Sequence, residues 1–449
     1  MGFKIDRDLS TEIYKIGVPS FLETLFTTFT NIIDSKMVSA LGVTAISAIS
    51  VTNAPRLFIL SVFFSINIVL TSLVARCVGE KNRDEANRIF DLIMKFVIIA
   101  SIILSILAVV LARPLMIVFS HQEDTLDASV VYFRIVMGGM IFNTVFMAIN
   151  AAMRGFGKTN LTFISNVVSS VVNIILNYLL IEGHFGFPAL GVKGAAIATV
   201  AGMVAACIQM TIVAMKKDYF VNIPYCLGKK FRPTKEGSKE VLEMYRSTFT
   251  DSLATRVSIL IISGIVARIG SFQMAVYSIG MHLLNVNVAV GTGLQTAAVA
   301  LIGRSHGAKD KALLKQYKRN IISLSAVSAL ILAALFILGG RTFFGFFSNE
   351  AEFISIGAKS CLFIGAITIS QTLKFAYVGC LQGVGAMKEV MRASIVSFAF
   401  VNLSVLAVCV FVLKMGIWGV WTGSLVSQTV QAIMVWNYTQ KLDAFKEDA

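Results

Sequence analysis

Two acids inside an apolar stretch are the residues best placed to do chemistry. Residues 13–41 read IYKIGVPSFLETLFTTFTNIIDSKMVSAL, longer than the ~20 apolar residues that cross a bilayer, yet they contain Glu23 and Asp34. A carboxylate at membrane depth costs ~2.5–3.5 kcal/mol on an insertion scale, so an acid kept there marks a functional site. The two lie 11 positions apart, about three helical turns, and so share one face. Thr27, Thr30 and Asn31 add neutral oxygens close by. Pro19, one turn before Glu23, removes a backbone donor and can kink a helix. The stretch reads as a bendable helix that offers protonatable or cation-coordinating groups to an interior cavity. The plainer alternative is that either acid neutralises a nearby cation, with Lys36 the neighbour in sequence.

A second polar set lies on later segments. Asn166, Ser170, Asn173 and Asn177 recur at intervals of 4, 3 and 4, one stripe on an otherwise apolar helix. Thr199 closes GAAIAT, whose small residues allow close backbone approach. If these helices meet the first, Asp34, Asn173, Asn177 and Thr199 supply one carboxylate and several neutral oxygens. Such a set could hold a desolvated sodium ion or a carboxyl proton. Glu23, Asn31, Asp251, Arg256, His282, Gln371 and Lys374 are the remaining candidates for a cavity wall, because each puts a polar group in a spanning segment. Acids Glu23, Asp34 and Asp251 roughly balance Lys36, Arg256 and Lys374, so a cationic cargo does not follow from charge alone. The six cysteines are scattered, with no CxxC pair. His121, His184, His282 and His306 are equally dispersed. No phosphate-binding loop, HExxH or nucleophile elbow appears, which leaves ATP-driven transport and hydrolysis without motif support. No cofactor is expected beyond a coupling proton or sodium ion.

The elements that must position these residues are transmembrane helices. Hydrophobic residues make up 56% of the 449, charged ones 14%, against ~25% charged in soluble domains. Twelve apolar segments are expected, near 13–41, 45–75, 93–112, 127–152, 161–182, 191–214, 241–269, 275–303, 319–339, 353–381, 391–413 and 417–440. The start of the chain is polar and mixed in charge, so no cleavable signal is expected. The net charge of +14 reports topology rather than a nucleic-acid partner. Only Arg113, Lys193, Arg268, Arg341 and Lys414 fall in odd-numbered loops, which predicts a multi-pass cell-membrane protein with both termini cytoplasmic. The chain also repeats itself. The offset that carries Leu73 onto Leu301 lays LVARCVGEKNRDEANR over LIGRSHGAKDKALLKQ and AAMRGFGK over GCLQGVGA. A slightly shorter offset near the ends of the halves lays GVKGAA over GIWGVW. Each half has six spans, so the halves should be two like-oriented bundles, 1–214 and 241–449, joined by a basic cytoplasmic linker at 215–240. The basic loops 76–92 and 304–318 read as short amphipathic segments.

Two repeats of six spans, NIID followed by LG and AISAIS, the AAMRGFGKT turn and GVKGAAIAT resemble the multidrug and toxin extrusion (MATE) transporters, and more closely their DinF-like branch. That resemblance implies an all-α membrane fold of twelve helices in two bundles. It also implies export of amphipathic or cationic organic compounds in exchange for protons or sodium ions, by alternating access and without enzymatic turnover. Carried onto this chain, it makes Asp34 the cation-responsive carboxylate and candidate sodium ligand, Pro19 its bend point, and Asn173 and Thr199 neutral partners. Asn177 departs from the aspartate common there in that branch, and Gln371 and Lys374 stand where other branches carry an acid. The expected partners are a small organic substrate and the lipid bilayer, around a monomer. Rival readings are a flippase for lipid-linked oligosaccharide and an intramembrane biosynthetic enzyme.

Overall fold

The computed structural model describes residues 6–119, 123–229 and 231–445, so His121 and Lys230 lie outside it. Its long helices are α1 (Arg7–Ser39), α2 (Val43–Gly79), α3 (Arg83–Val110), α4 (Glu123–Gly138), α5 (Met140–Gly155), α6 (Thr159–Leu180) and α7 (Val192–Ala214). A short α8 (Ile223–Lys229) precedes α9 (Lys235–Ile269), α10 (Ser271–Gly307), α11 (Lys311–Gly345), α12 (Ala351–Gly383), α13 (Met387–Val412) and α14 (Ile417–Lys441). Among the described residues nine helices are long and apolar enough to cross a membrane, and α4 with α5, bent by 46°, makes a tenth. The more polar α1 and α14, of 33 and 25 residues, bring the spanning-length segments to the twelve expected. The protein is an all-α, multi-pass membrane protein.

Lipid exposure is written into single helices. On α3, Ala86, Ile89, Phe90, Ile93 and Val97 are buried, while Ile99, Ile103, Ile106 and Val110 are exposed. A helix apolar all round suits hydrocarbon on its outer side. The α4–α5 bend falls at Gly138–Gly139, where a Cβ on Gly139 would come within 2.5 Å of the Val200 side chain.

The repeat extends to the backbone. The offset that carries Leu73 onto Leu301 also carries the first residues of α1, α2, α3, α4 and α6 onto those of α9, α10, α11, α12 and α13. Helix α7 maps onto α14 with the shorter offset seen in sequence. Lys81 and Lys309 are both left-handed, at φ 55° and 58°, and each is followed by a capping residue. Asn82 Oδ1 accepts from the Glu85 N–H at 3.0 Å, and Asp310 Oδ1 from the Leu313 N–H at 2.9 Å. These caps correct one expectation: 76–92 and 304–318 are not separate amphipathic segments but helix ends joined by tight turns.

The chain divides into two compact units, Leu22–Val78 with Asn82–Val241, and Met1–Phe21 with Gly79–Lys81 and Leu242–Ala449. The segment ending at Phe21 thus groups with the second half, where the expectation had placed it in the first. Packing explains it: Ile13 and Ile16 join Leu294, Ala297 and Leu301 in one core, and the Tyr317 hydroxyl donates to Glu12. A Cβ on Gly17 would approach the Gly293 carbonyl oxygen at 3.3 Å. Helix α1 runs unbroken across Pro19, and the division between units falls one turn later. The expected linker is docked within the first unit. Arg83 donates to the carbonyls of Lys217, Tyr219 and Phe220, and Asn87 bonds both Phe220 O and the Asn222 N–H.

Candidate functional site

Helix α6 lies alongside α1 in a fixed register. Asn166 bonds Glu23 and Asn177 bonds Asp34, both pairs 143 positions apart, so the two helices run in the same direction. Phe26 meets Phe163 edge-on between the two polar contacts. Helix α7 packs against α6 through Gly194, Ala198, Gly202 and Ala206, a small residue every fourth position and all buried. A Cβ on Gly202 would lie 2.6 Å from the Ser169 carbonyl oxygen, so this approach requires glycine.

At the end of this contact stands Asp34. Asn177 Nδ2 donates to its Oδ1 at 2.9 Å. Asn173 has two amide orientations, and we assign the one that turns its nitrogen to the carboxylate, at 2.8 Å from Oδ1 and 3.1 Å from Oδ2. Its oxygen then accepts from the Thr199 backbone N–H at 3.2 Å, while the Thr199 hydroxyl donates to Ala195 O. Both asparagines are buried, and Asn177 Oδ1 has no hydrogen-bond partner. Among the described residues no cation lies within ion-pair distance of Asp34: Lys36 is exposed and does not neutralise it. One carboxylate, two amides and an orphaned buried oxygen form a site short of positive charge by one unit. Its oxygen donors fit a proton or a monovalent hard cation. The residues expected to hold sodium, Asp34, Asn173, Asn177 and Thr199, are therefore together.

Glu23 is placed differently. It is buried, pairs with Arg154 at the end of α5, and accepts from Thr162 at 3.0 Å and Asn166 at 2.8 Å. Expected in a cavity wall, it instead closes a polar cluster that ties α1 to α5 and α6. The cation it meets is Arg154, 131 positions away, and not Lys36.

A cavity of about 650 Å³ opens within the first unit. Asp34, Asn31, Thr30, Asn173, Asn177 and Thr199 form its polar wall; Leu57, Leu60, Tyr132, Met140, Phe146 and Met203 form its greasy one. Sequence reasoning missed further polar contributors, Asn53, Arg56 and Asn143 among them. The signal was present, since Arg56 follows Pro55 in the middle of an apolar span.

The second-half candidates lie inside the other unit. Asn287 Nδ2 donates to Gln371 at 2.8 Å and accepts at Oδ1 from Thr372 at 2.6 Å, a closed buried network. Lys374 is buried with Nζ 4.4 Å from the Phe375 ring centroid. Asp251 Oδ1 is buried without a hydrogen-bond partner. Arg256 is half-buried, and His282 is exposed.

A backbone duplicated helix for helix, lipid-facing apolar sides and a cavity bearing an unpaired carboxylate define a polytopic membrane transporter rather than an enzyme. A family model matches twice, over residues 19–179 and 249–408, once in each repeat. The chain belongs to the MatE family. It is 23% identical over 420 residues to the probable multidrug resistance protein NorM of Thermotoga maritima, covering 93% of this chain and 89% of that one. It is 25% identical over 406 residues to the probable multidrug resistance protein YoeA of Bacillus subtilis, covering 89% and 86%. A crystal structure of MATE in the bent conformation superposes with a TM-score of 0.88 at 18% identity, over 97% of each chain.

Proposed function

We propose that the protein is a secondary active antiporter that exports organic compounds through the first-unit cavity in exchange for protons or sodium ions. The observation that carries this is the Asp34 carboxylate, held by two amide donors with no countercation among the described residues, in the wall of a cavity large enough for a small organic molecule. Relatives named for multidrug resistance support it. Cavity access alternates between the two sides of the membrane. Asp34 holds the cation in one state and releases it in the other; a cation bound equally in both would drive nothing. The membrane potential adds ~2.3 kcal/mol per charge per 100 mV, enough to concentrate a cargo. Pro19, where α1 lacks a backbone bond, is the point at which the state of Asp34 changes the course of the helix. The two repeats act as the functional halves, in a monomer of the DinF-like branch with both termini cytoplasmic.

The test is cargo efflux from proteoliposomes under separately imposed sodium and proton gradients, on wild type and Asp34→Asn. The variant should fold and insert while losing gradient-driven efflux. Undiminished efflux would remove Asp34 from the mechanism.

A further inference from the structure

Among the residues that line the first unit's cavity two are charged, Asp34 and Arg56. Arg56 lines it from within α2, its Nε is buried without a partner, and it makes no hydrogen bond or ion pair among the described residues. Its side chain is partly exposed, with only Nε fully buried, so the rest of the guanidinium is free to meet what occupies the cavity; at membrane depth such a charge without a counter-charge is unfavourable. The fold does not require it. At the equivalent place in the repeat stands Leu284, buried in the apolar core of its own unit. Arginine is thus absent where the same helix merely packs and present where it borders a cavity.

The acid that could have answered Arg56 is engaged elsewhere. Asp34 spends its oxygens on Asn173 and Asn177 and forms no ion pair with Arg56, and Glu23 is closed off with Arg154. Around Arg56 the cavity offers amides and hydroxyls, Asn53, Asn143 and Ser50 among them, which add hydrogen bonds but no negative charge. With no acid at ion-pair distance among the described residues, the partner left for Arg56 is a negative charge on what enters.

We propose that the cavity recognises an amphipathic organic anion, with a carboxylate or similarly planar oxyanion head on Arg56 and an apolar body against Leu57, Leu60, Met140 and Phe146. This deepens the antiporter reading and rests on it: Asp34 takes the coupling cation, and Arg56 takes the cargo. A guanidinium presents its donors as a rigid fork that matches a carboxylate in a bidentate fashion, which an ammonium cannot do.

The experiment uses three probes with one body: 1-naphthylacetate, its carboxamide, and 1-naphthylmethylammonium. Each is titrated calorimetrically into the full-length protein in nanodiscs. Wild type should bind the carboxylate about tenfold or more tighter than the carboxamide, the range expected for a charge-assisted hydrogen-bonded pair. Arg56→Gln should abolish that preference, and Arg56→Lys should keep only part of it. Equal thermal stability of the three proteins establishes that the variants fold. A carboxylate no better than the carboxamide in wild type, failure of both to bind included, overturns the proposal. So does a preference that survives in Arg56→Gln, or a preference for the ammonium probe. Failure of the antiporter reading looks different: the carboxylate preference persists and depends on Arg56, yet no imposed gradient moves the probe across proteoliposome membranes.

Discussion

Replacing Glu23 by glutamine separates holding the helices together from coupling to a cation. Two donors, Arg154 and Asn166, converge on Glu23 Oε1, and Thr162 reaches Oε2. Glutamine keeps one carbonyl oxygen for the first two donors, and the Thr162 hydroxyl can turn to meet the new amide. What is lost is the charge on the Arg154 contact. Because a third of the Arg154 side chain is exposed, water recovers part of that loss. The expected cost is about 1–3 kcal/mol, the range for a hydrogen bond to a charged group. Glu23→Leu leaves Arg154 without its acid, while Thr162 and Asn166 keep the carbonyls of Thr159 and Thr162; it should cost more than the glutamine, about 3 kcal/mol, the low end for breaking a buried pair. Unfolding in mixed detergent–SDS micelles measures both, and a cycle with Arg154→Met isolates the pair. Gradient-driven efflux by the folded Glu23→Gln protein should stay close to wild type, the reverse of Asp34→Asn. Unchanged stability together with lost coupling would show that Glu23 handles the cation and that the clamp assignment is wrong.

Three further outcomes follow from the same geometry. Asn177→Leu removes one of the two amide donors to Asp34 and the orphaned oxygen beside it. The apparent affinity for sodium in efflux assays should fall about tenfold, equivalent to about 1.4 kcal/mol, because an oxygen ligand is lost, whereas loss of the amide donor to the carboxylate favours proton uptake; an unchanged sodium affinity would count against the site. Gly202→Ala drives a Cβ to 2.6 Å from the Ser169 carbonyl oxygen and must push α7 off α6. It should destabilise by about 1–3 kcal/mol and weaken coupling, because Thr199 moves with α7. Burial, with the Asp91 charge second, pushes the Cys226 thiol up to about 12. The neutral thiol persists below that pH, so at pH 8 roughly one part in ten thousand is thiolate, and maleimide should label Cys226 far more slowly than an ordinary cysteine. Rapid labelling at pH 8 would show that α8 does not stay docked on α3.

By itself the sequence determined what depends on neighbours along the chain. Apolar length reports spans, and the 4, 3, 4 spacing of Asn166, Ser170, Asn173 and Asn177 reports a helical face because α-helix geometry is local. The internal repeat was legible for the same reason, and it carried the capped turns at Asn82 and Asp310 with it. Tertiary structure alone decided which charges meet. Glu23 looked like a partner for Lys36 or a cavity acid, and it closes on Arg154, 131 positions away, because α1, α5 and α6 converge. The segment before Leu22 looks like part of the first bundle in sequence, yet Ile13 and Ile16 bury against Leu294 and Leu301. Arg56 could be seen as a charge in a span, but only packing shows that among the described residues neither Asp34 nor Glu23 pairs with it. A charge's worth is set by what stands within a few ångströms of it, and that distance is fixed by folding rather than by order in the chain.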